Sequence, residues 1–287
     1  MTPDPFEAER PYLTRLAYRM LGSSSDAEDM VQETWLRWER SGRPPLAQPR
    51  AWFTRACTRL CLDRLKSARH TRETYVGQWL PEPLLVDEGA EARRELDETL
   101  SMALLVTLEQ LKPAERAAFL LHDVFDYEFT QVAEILERTP ASCRQLAVRA
   151  RRRVRTERPG RSTSREELER LQRAFFGALG AGDFDGLRGV LAEDVVVRSD
   201  GGGKALAAAL PIVGATKAAT FFIRTTRESR LSGPPDLREV WFNGAPGVVL
   251  YLRGRPVTAF HFLVHDELIA GIFAQRNPDK LAAFLPA

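Results

Sequence analysis

Residues Thr130 to Arg155 read TQVAEILERTPASCRQLAVRARRRVR, two short helical patterns around a turn, the second loaded with arginine. The first carries Val132, Ala133, Ile135 and Leu136 toward one side. Thr139 stands where a side-chain oxygen caps a following helix, and Pro140 follows at a first-turn position whose missing N–H costs nothing. At 3.6 residues per turn, Cys143, Leu146, Ala147, Ala150 and Val154 fall on one stripe, while Arg144, Gln145, Arg149, Arg152 and Arg153 lie away from it. One face is suited to packing and the other is cationic. A short apolar helix, a capped turn and a basic helix together predict a helix-turn-helix whose second helix meets DNA. Arginines neutralise phosphates, and Arg144 and Gln145, near the start of that helix, are placed to reach base edges in the major groove. A solvated surface helix would share the charge but not the preceding helix and its cap.

The rest of the chain sets that motif in a larger molecule. Its 287 residues suggest two or three domains, and 44% apolar with 28% charged residues is ordinary globular usage. A net charge of +2 is almost neutral, so nucleic-acid affinity must come from local clustering. Three cysteines argue against a disulfide framework. Cys57 and Cys61 share a helix face, but no His or Cys stands at a metal-ligand spacing from them, so both read as small core residues and no metal or cofactor is expected. The start MTPDPFEAER lacks the basic and apolar segments of a signal peptide, and no apolar run is long enough to cross a bilayer. A cytoplasmic protein with no membrane partner is expected.

Three organised blocks emerge along the chain. Residues 6–75 read as helical, with RPYLTRLAYRMLG, SSSDAEDMVQETWLRWER and AWFTRACTRLCLDRLKSARHTRE separated by Gly- and Pro-bearing breaks. Residues 76–92 form an acidic, Pro- and Gly-punctuated linker containing WLPEP. A second helical block, 93–157, ends in the basic helix. From 165 to 287 the pattern opens with an amphipathic helix bearing Leu168, Leu171, Phe175 and Phe176. It then turns to strands: DVVVRS, EVWFNG, GVVLYLRG, RPVTAFHFLVHD and ELIAGIFAQR. Helices followed by strands predict an α+β domain with a helix-backed antiparallel sheet.

Within the first block, DAEDMVQETWLRW places Ala27, Val31, Trp35 and Trp38 on one side of a helix and Asp29, Gln32 and Glu33 on the other. By charge pattern alone that acidic side is a solvated face. However, this segment, followed by PRAWFTRACTRLCLDRLKSARH and then by the helix-turn-helix, resembles the extracytoplasmic-function branch (group IV) of the sigma-70 family. The resemblance implies two all-α domains: region 2, over 6–75, and region 4, over 93–157. In that family the acidic helix docks on the clamp coiled coil of the RNA polymerase largest subunit, which assigns Asp29, Gln32 and Glu33 to core polymerase. The helix from Trp52 to His70 then corresponds to the reader of the promoter minus-ten element, with Trp52 as a core residue. Opened DNA needs cations for its phosphates and a pocket for an unstacked base. Arg55, Arg59, Lys66, Arg69 and Arg72 supply the cations and the SGRPPLAQPR loop the pocket rim. Arg59 stands where many relatives carry Asn. By the same resemblance the helix-turn-helix reads the minus-thirty-five element.

The third block resembles a SnoaL-like domain of the NTF2-like superfamily, a cone of curved sheet closed by helices. Three further pieces are similar to the sigma-factor subgroup in which this domain is fused: Trp79, Leu80, Pro81, Glu82 and Pro83; Asp200, Gly201, Gly202, Gly203 and Lys204; and Asn277, Pro278, Asp279, Lys280 and Leu281. Glycines at 201–203 permit positive φ and close approach. The resemblance implies that the linker meets the cone near DGGGK, so that the tail governs how the two helical domains are placed. Related cones include cyclases and isomerases, but no matched acid and base can be named here: His261 reads as a satisfied polar group in a strand, and His265 as a hairpin end. No enzyme activity is expected, and a small-molecule ligand in the cone remains open. The expected function is promoter-specific transcription initiation with core RNA polymerase. Two other readings stand beside it: a helix-turn-helix regulator with a ligand-sensing cone, and a SnoaL-like enzyme with a DNA-binding appendage.

Overall fold

The computed structural model describes residues 4–73, 75–85, 101–157, 163–229 and 235–285, with the side chains of 68–73, 156–157 and 228–229 outside that description. By internal contact the chain divides into two compact units, 1–74 with 104–158 and 75–103 with 159–287.

Helices build the first unit. Asp4 caps α1 (Pro5–Leu21) by accepting the Phe6 N–H at 2.9 Å, and Gly22 closes it at φ 67°. Ser23 caps α2 (Ser24–Arg40), and α3 (Pro49–Glu73) follows the Pro-rich break. The core of this bundle is aromatic: Phe53 meets Phe6 and Trp38 edge-to-face at 5.2 and 5.5 Å. Two expectations need correction. Thr34, not Trp35, completes the buried stripe of α2, and Phe53, not Trp52, enters the core, leaving both tryptophans half-buried. Thr34 turns its hydroxyl to the Met30 carbonyl at 2.7 Å and so needs no other partner inside. Cys57, Cys61 and Cys143 are free and buried.

Further along are α4 (Met102–Glu109), α5 (Pro113–Phe119), a π turn (Leu120–Val124), α6 (Phe129–Leu136) and α7 (Pro140–Glu157). The π turn wraps Tyr127 inward, where its hydroxyl lies 3.2 Å from that of Tyr12 and 2.9 Å from that of Thr54. Arg116 is wholly buried, donating to the Met20 carbonyl at 2.6 Å and pairing with Glu109 at 2.8 Å. A buried cation held by one carbonyl and one carboxylate ties α5 to the end of α1, because a buried guanidinium that lost these acceptors would be left unpaired.

The second unit is a six-stranded sheet carrying α8 (Arg165–Ala181), α9 (Phe184–Gly189) and α10 (Ala215–Ser229). Its strands are β1 (Leu191–Asp200), β2 (Ile212–Val213), β3 (Asp236–Phe242), β4 (Ala245–Leu252), β5 (Arg255–His265) and β6 (Leu268–Gln275), in the order β2-β1-β6-β5-β4-β3. The sheet is mixed, not antiparallel, since β1 lies parallel to β6. The chain leaves β1 through β2 and α10, a helix the sequence pattern did not announce, and returns through the antiparallel meander β3–β6, so the last strand comes back beside the first in the same direction. Leu168, Leu171 and Phe175 of α8 and Phe222 of α10 bury against Val197, Phe262 and Ile272 of the sheet. The opposite face holds a smaller core of Phe242, Val249 and Tyr251, closed by Leu281 and Phe284 from two 3₁₀ turns. This helix-backed sheet is the cone that the resemblance implied.

Candidate functional site

The turn between α6 and α7 is built as the sequence suggests. Glu137 ends α6 in the left-handed region at φ 54°, and Thr139 accepts the Ser142 N–H at 3.2 Å. Cys143, Leu146, Ala147 and Ala150 are buried, and Arg144, Gln145, Arg149, Arg152 and Arg153 are exposed on the other faces of α7. Two arginines are anchored at their bases: Arg149 to Glu115 at 2.7 Å and Arg151 to Asp123 at 2.5 Å. Val148, one turn after Arg144, is 58% exposed. Its apolar character hid it from a search for charge.

On α3, Arg55 reaches Glu134 at 3.1 Å and Arg59 reaches Glu137 at 2.6 Å, so both meet carboxylates at the C-terminal end of the helix-turn-helix's first helix. Lys66 pairs with Asp63 at 2.9 Å. The side chains of Arg69 and Arg72 lie outside the described residues. Trp38 donates to the Pro44 carbonyl at 3.3 Å and fixes the start of the Pro-rich loop. On α2, Asp29 and Gln32 are exposed, and Glu33 sits between Arg37 at 3.6 Å and Arg40 at 3.5 Å. These pairs are all solvated, so each contributes about 0–1 kcal/mol and yields readily to a stronger ligand.

In the second unit, residues 75–85 lie along the cone, centred on Asp200. That carboxylate is fully buried and accepts from the Tyr75 hydroxyl at 2.6 Å, the Leu80 N–H at 2.9 Å and the Gly202 N–H at 2.9 Å. Lys280 pairs with it at 2.7 Å, donates to the Leu80 carbonyl at 2.7 Å, and lies 4.2 Å from the centre of the Trp79 ring. Asn277 donates to Tyr75 at 2.9 Å, and Gln275 reaches the carbonyls of Leu80 and Pro81 at 3.4 and 3.3 Å. Leu80, Pro81 and Pro83 are buried, while Trp79 and Glu82 are half-buried. Burial, with the Asp200 carboxylate beside it, pushes the Tyr75 phenol well above its ordinary range.

The glycines matter here. Gly202 and Gly203 adopt φ of 58° and 72°, and a Cβ on Gly202 would fall 2.3 Å from Asn277 Nδ2. A Cβ on Gly201, whose φ is ordinary, would strike the Ala205 carbonyl. Lys204 pairs with Asp279 at 2.5 Å. Asp200, Gly201–Lys204 and Asn277–Leu281 thus come together with WLPEP. Tyr75, Gln275 and Asn243, which exchanges two hydrogen bonds with the Leu84 backbone, were not singled out in the sequence. Each is a polar residue whose linker or cradle partner is remote in sequence: Tyr75 from Asp200 by 125 positions, Asn243 from Leu84 by 159 and Gln275 from Leu80 by 195.

His261 is buried with no partner for Nδ1, and burial lowers its pKa to about 4. It is not the satisfied polar group expected at that position. Phe242 lies edge-on to it at 5.6 Å, and that ring offers no acceptor. Among the described residues no cluster of His, Cys, Asp or Glu is arranged to hold a metal, and no helix is long and apolar enough to cross a membrane.

Two family models match the helical unit: Sigma-70 region 2 over residues 6–71 and Sigma-70, region 4 over 101–154. A relative in Mycobacterium tuberculosis, the ECF RNA polymerase sigma factor SigJ, is 39% identical over 98% of this chain and 93% of its own. The chain belongs to the extracytoplasmic-function sigma factors. The crystal structure of SigJ covers 98% of each chain with a TM-score of 0.77 and 33% identity, so the likeness extends through the cone of this sigma factor. SigG of the same organism is 27% identical over 88% of the chain and 73% of its own length.

Proposed function

We propose that this sigma factor binds core RNA polymerase through the exposed face of α2, reads the minus-ten element with α3 and the minus-thirty-five element with α7, and is regulated by its own cone. The observation that carries the regulatory half is the docking of residues 75–85 around Asp200 and Lys280, with Leu80, Pro81 and Pro83 buried. Those residues are the first part of the connection between the two promoter-reading helical regions. When a cone grips that connection, it changes the effective concentration of one DNA-binding region relative to the other. Asp29, Gln32 and Glu33 serve polymerase; Arg55, Arg59, Lys66, Arg69 and Arg72 serve the melted strand; Arg144, Gln145, Arg149, Arg152 and Arg153 serve the duplex. The cone acts as a regulator and not as a catalyst.

Run-off transcription with purified core polymerase tests the reading. The intact chain should direct initiation from a cognate promoter, reversal of charge at Asp29 and Glu33 together should abolish polymerase capture without unfolding the protein, and Lys280→Met should change output. A chain that never associates with core polymerase at low ionic strength sinks the proposal. Unchanged output from Lys280→Met removes its regulatory half alone.

A further inference from the structure

A pocket of about 130 Å³, partly open to solvent, lies between α8, α10 and the sheet. Its described walls are chiefly aromatic and aliphatic, with Phe176, Phe222, Phe260 and Leu250 joined by the buried Thr258. One ionisable side chain stands among the described lining residues, Arg276 at the end of β6. One terminal nitrogen of its guanidinium donates to the Leu206 carbonyl, and its Nε is buried with no hydrogen-bond partner. No carboxylate lies among the described lining residues to balance the charge, and burial lowers the pKa of the group. Arg276 is half-buried, so only its Nε is cut off from water; an unpaired buried donor is costly, and a charge-assisted pair with a planar oxyanion is its most favourable remedy.

Resting on the regulatory reading above, we propose that the cone is a receptor site for a small aromatic carboxylate, its ring among the phenylalanines and its carboxylate on Arg276. Size suits a single ring: a closed apolar void of roughly 150 Å³ accepts benzene, and this pocket has a similar volume and is partly open, leaving room for a polar substituent. Ring geometry fits as well: Phe176 and Phe260 already meet edge-to-face at 5.4 Å, and such rings take an aromatic guest in the same manner. The guanidinium disfavours cationic guests, and a neutral guest offers no counter-charge to it.

The site touches the linker cradle through two strands. Ser199 lines the pocket and precedes Asp200; Arg276 lies between Gln275 and Asn277, and its N–H donates to the Asp200 carbonyl at 2.7 Å. A carboxylate that draws on Arg276 therefore acts one residue from three groups that hold residues 75–81.

Calorimetric titration of the intact chain with benzoate and trans-cinnamate, against benzamide and benzylamine, tests the proposal. Saturable binding of the acids, at least tenfold tighter than benzamide and with benzylamine silent, is expected. Arg276→Gln should bring the acid-to-amide ratio close to one, and Arg276→Lys should restore part of it. No saturable binding of either acid, or equal affinity for acid and amide in the unaltered chain, overturns the proposal whether or not the variants fold. Because heat of binding is read without polymerase, failure here leaves the sigma-factor reading intact, and failure of transcription leaves this site intact.

Discussion

Two buried residues of the cone carry most of what single substitutions should reveal. His261 titrates near 4 when folded and near 6.5 when unfolded. Above 6.5 both states are neutral, and as pH falls toward 4 the unfolded chain gains a proton that the folded chain resists. Stability is thus present above 6.5 and declines through that window by about 3 kcal/mol, from roughly 1.4 kcal/mol per pKa unit. Denaturant unfolding at pH 7 and pH 4.5 should show the loss, and His261→Gln should remove most of this pH dependence. Asp200 makes the opposite demand, because its charge is fully compensated: Asp200→Asn leaves Lys280 buried beside an amide. Leaving a buried charge without its partner costs about 3–5 kcal/mol, and hydrogen exchange should show amides 75–84 losing protection first. Uniform protection at those amides in the variant would remove the role given to the pair.

At the scale of elements, the proposed reading gives the side chains of α7 different tasks. Arg153 is exposed and suited to phosphate, so Arg153→Ala should weaken binding to all duplexes alike and lower the salt slope by about 1. Val148 offers a methyl surface between Arg144 and Arg149, and a thymine methyl is its natural partner in a major groove. Val148→Ser should cost about 1 kcal/mol at one base pair and leave the others unchanged, which competition binding across single-base variants would read. α7 was legible because capping, periodicity and charge agreed in one local stretch. α8 was legible for a similar reason, with Leu168, Leu171 and Phe175 at helical spacing. By contrast, α10 is built from Ala, Thr, Phe and Ile in a stretch whose composition suits strand as well as helix, and its helicity comes from burying Ala218, Ala219 and Phe222 on the sheet. The parallel β1–β6 pair was equally hidden, since strand order is a property of connections and not of strands. Trp35 and Trp52 misled by size: bulk suggests burial, yet Thr34 and Phe53 hold the inward positions.

For the helical unit as a whole, the informative contacts join its two halves. The ion pairs Arg55–Glu134 and Arg59–Glu137 span 79 and 78 positions of sequence, so no local pattern could have announced them. The buried Tyr12, Thr54 and Tyr127 hydroxyls and the Arg116 anchor hold this arrangement, whereas the two exposed pairs add little stability to it. A Glu134→Gln, Glu137→Gln double variant should therefore keep its unfolding midpoint within a few degrees while binding single-stranded promoter DNA several-fold more tightly. Fluorescence anisotropy with a labelled minus-ten strand checks this, and equal affinity for both proteins would show that the pairs do not compete with DNA.

Those same acidic groups change how ionic strength should act. On the proposed reading, phosphates arriving at Arg55 and Arg59 would shed their condensed sodium, but the two glutamates they evict would recover a cation cloud of their own. Part of the entropic gain is handed back, so melted-strand binding should depend on electrolyte less steeply than its number of arginine contacts implies.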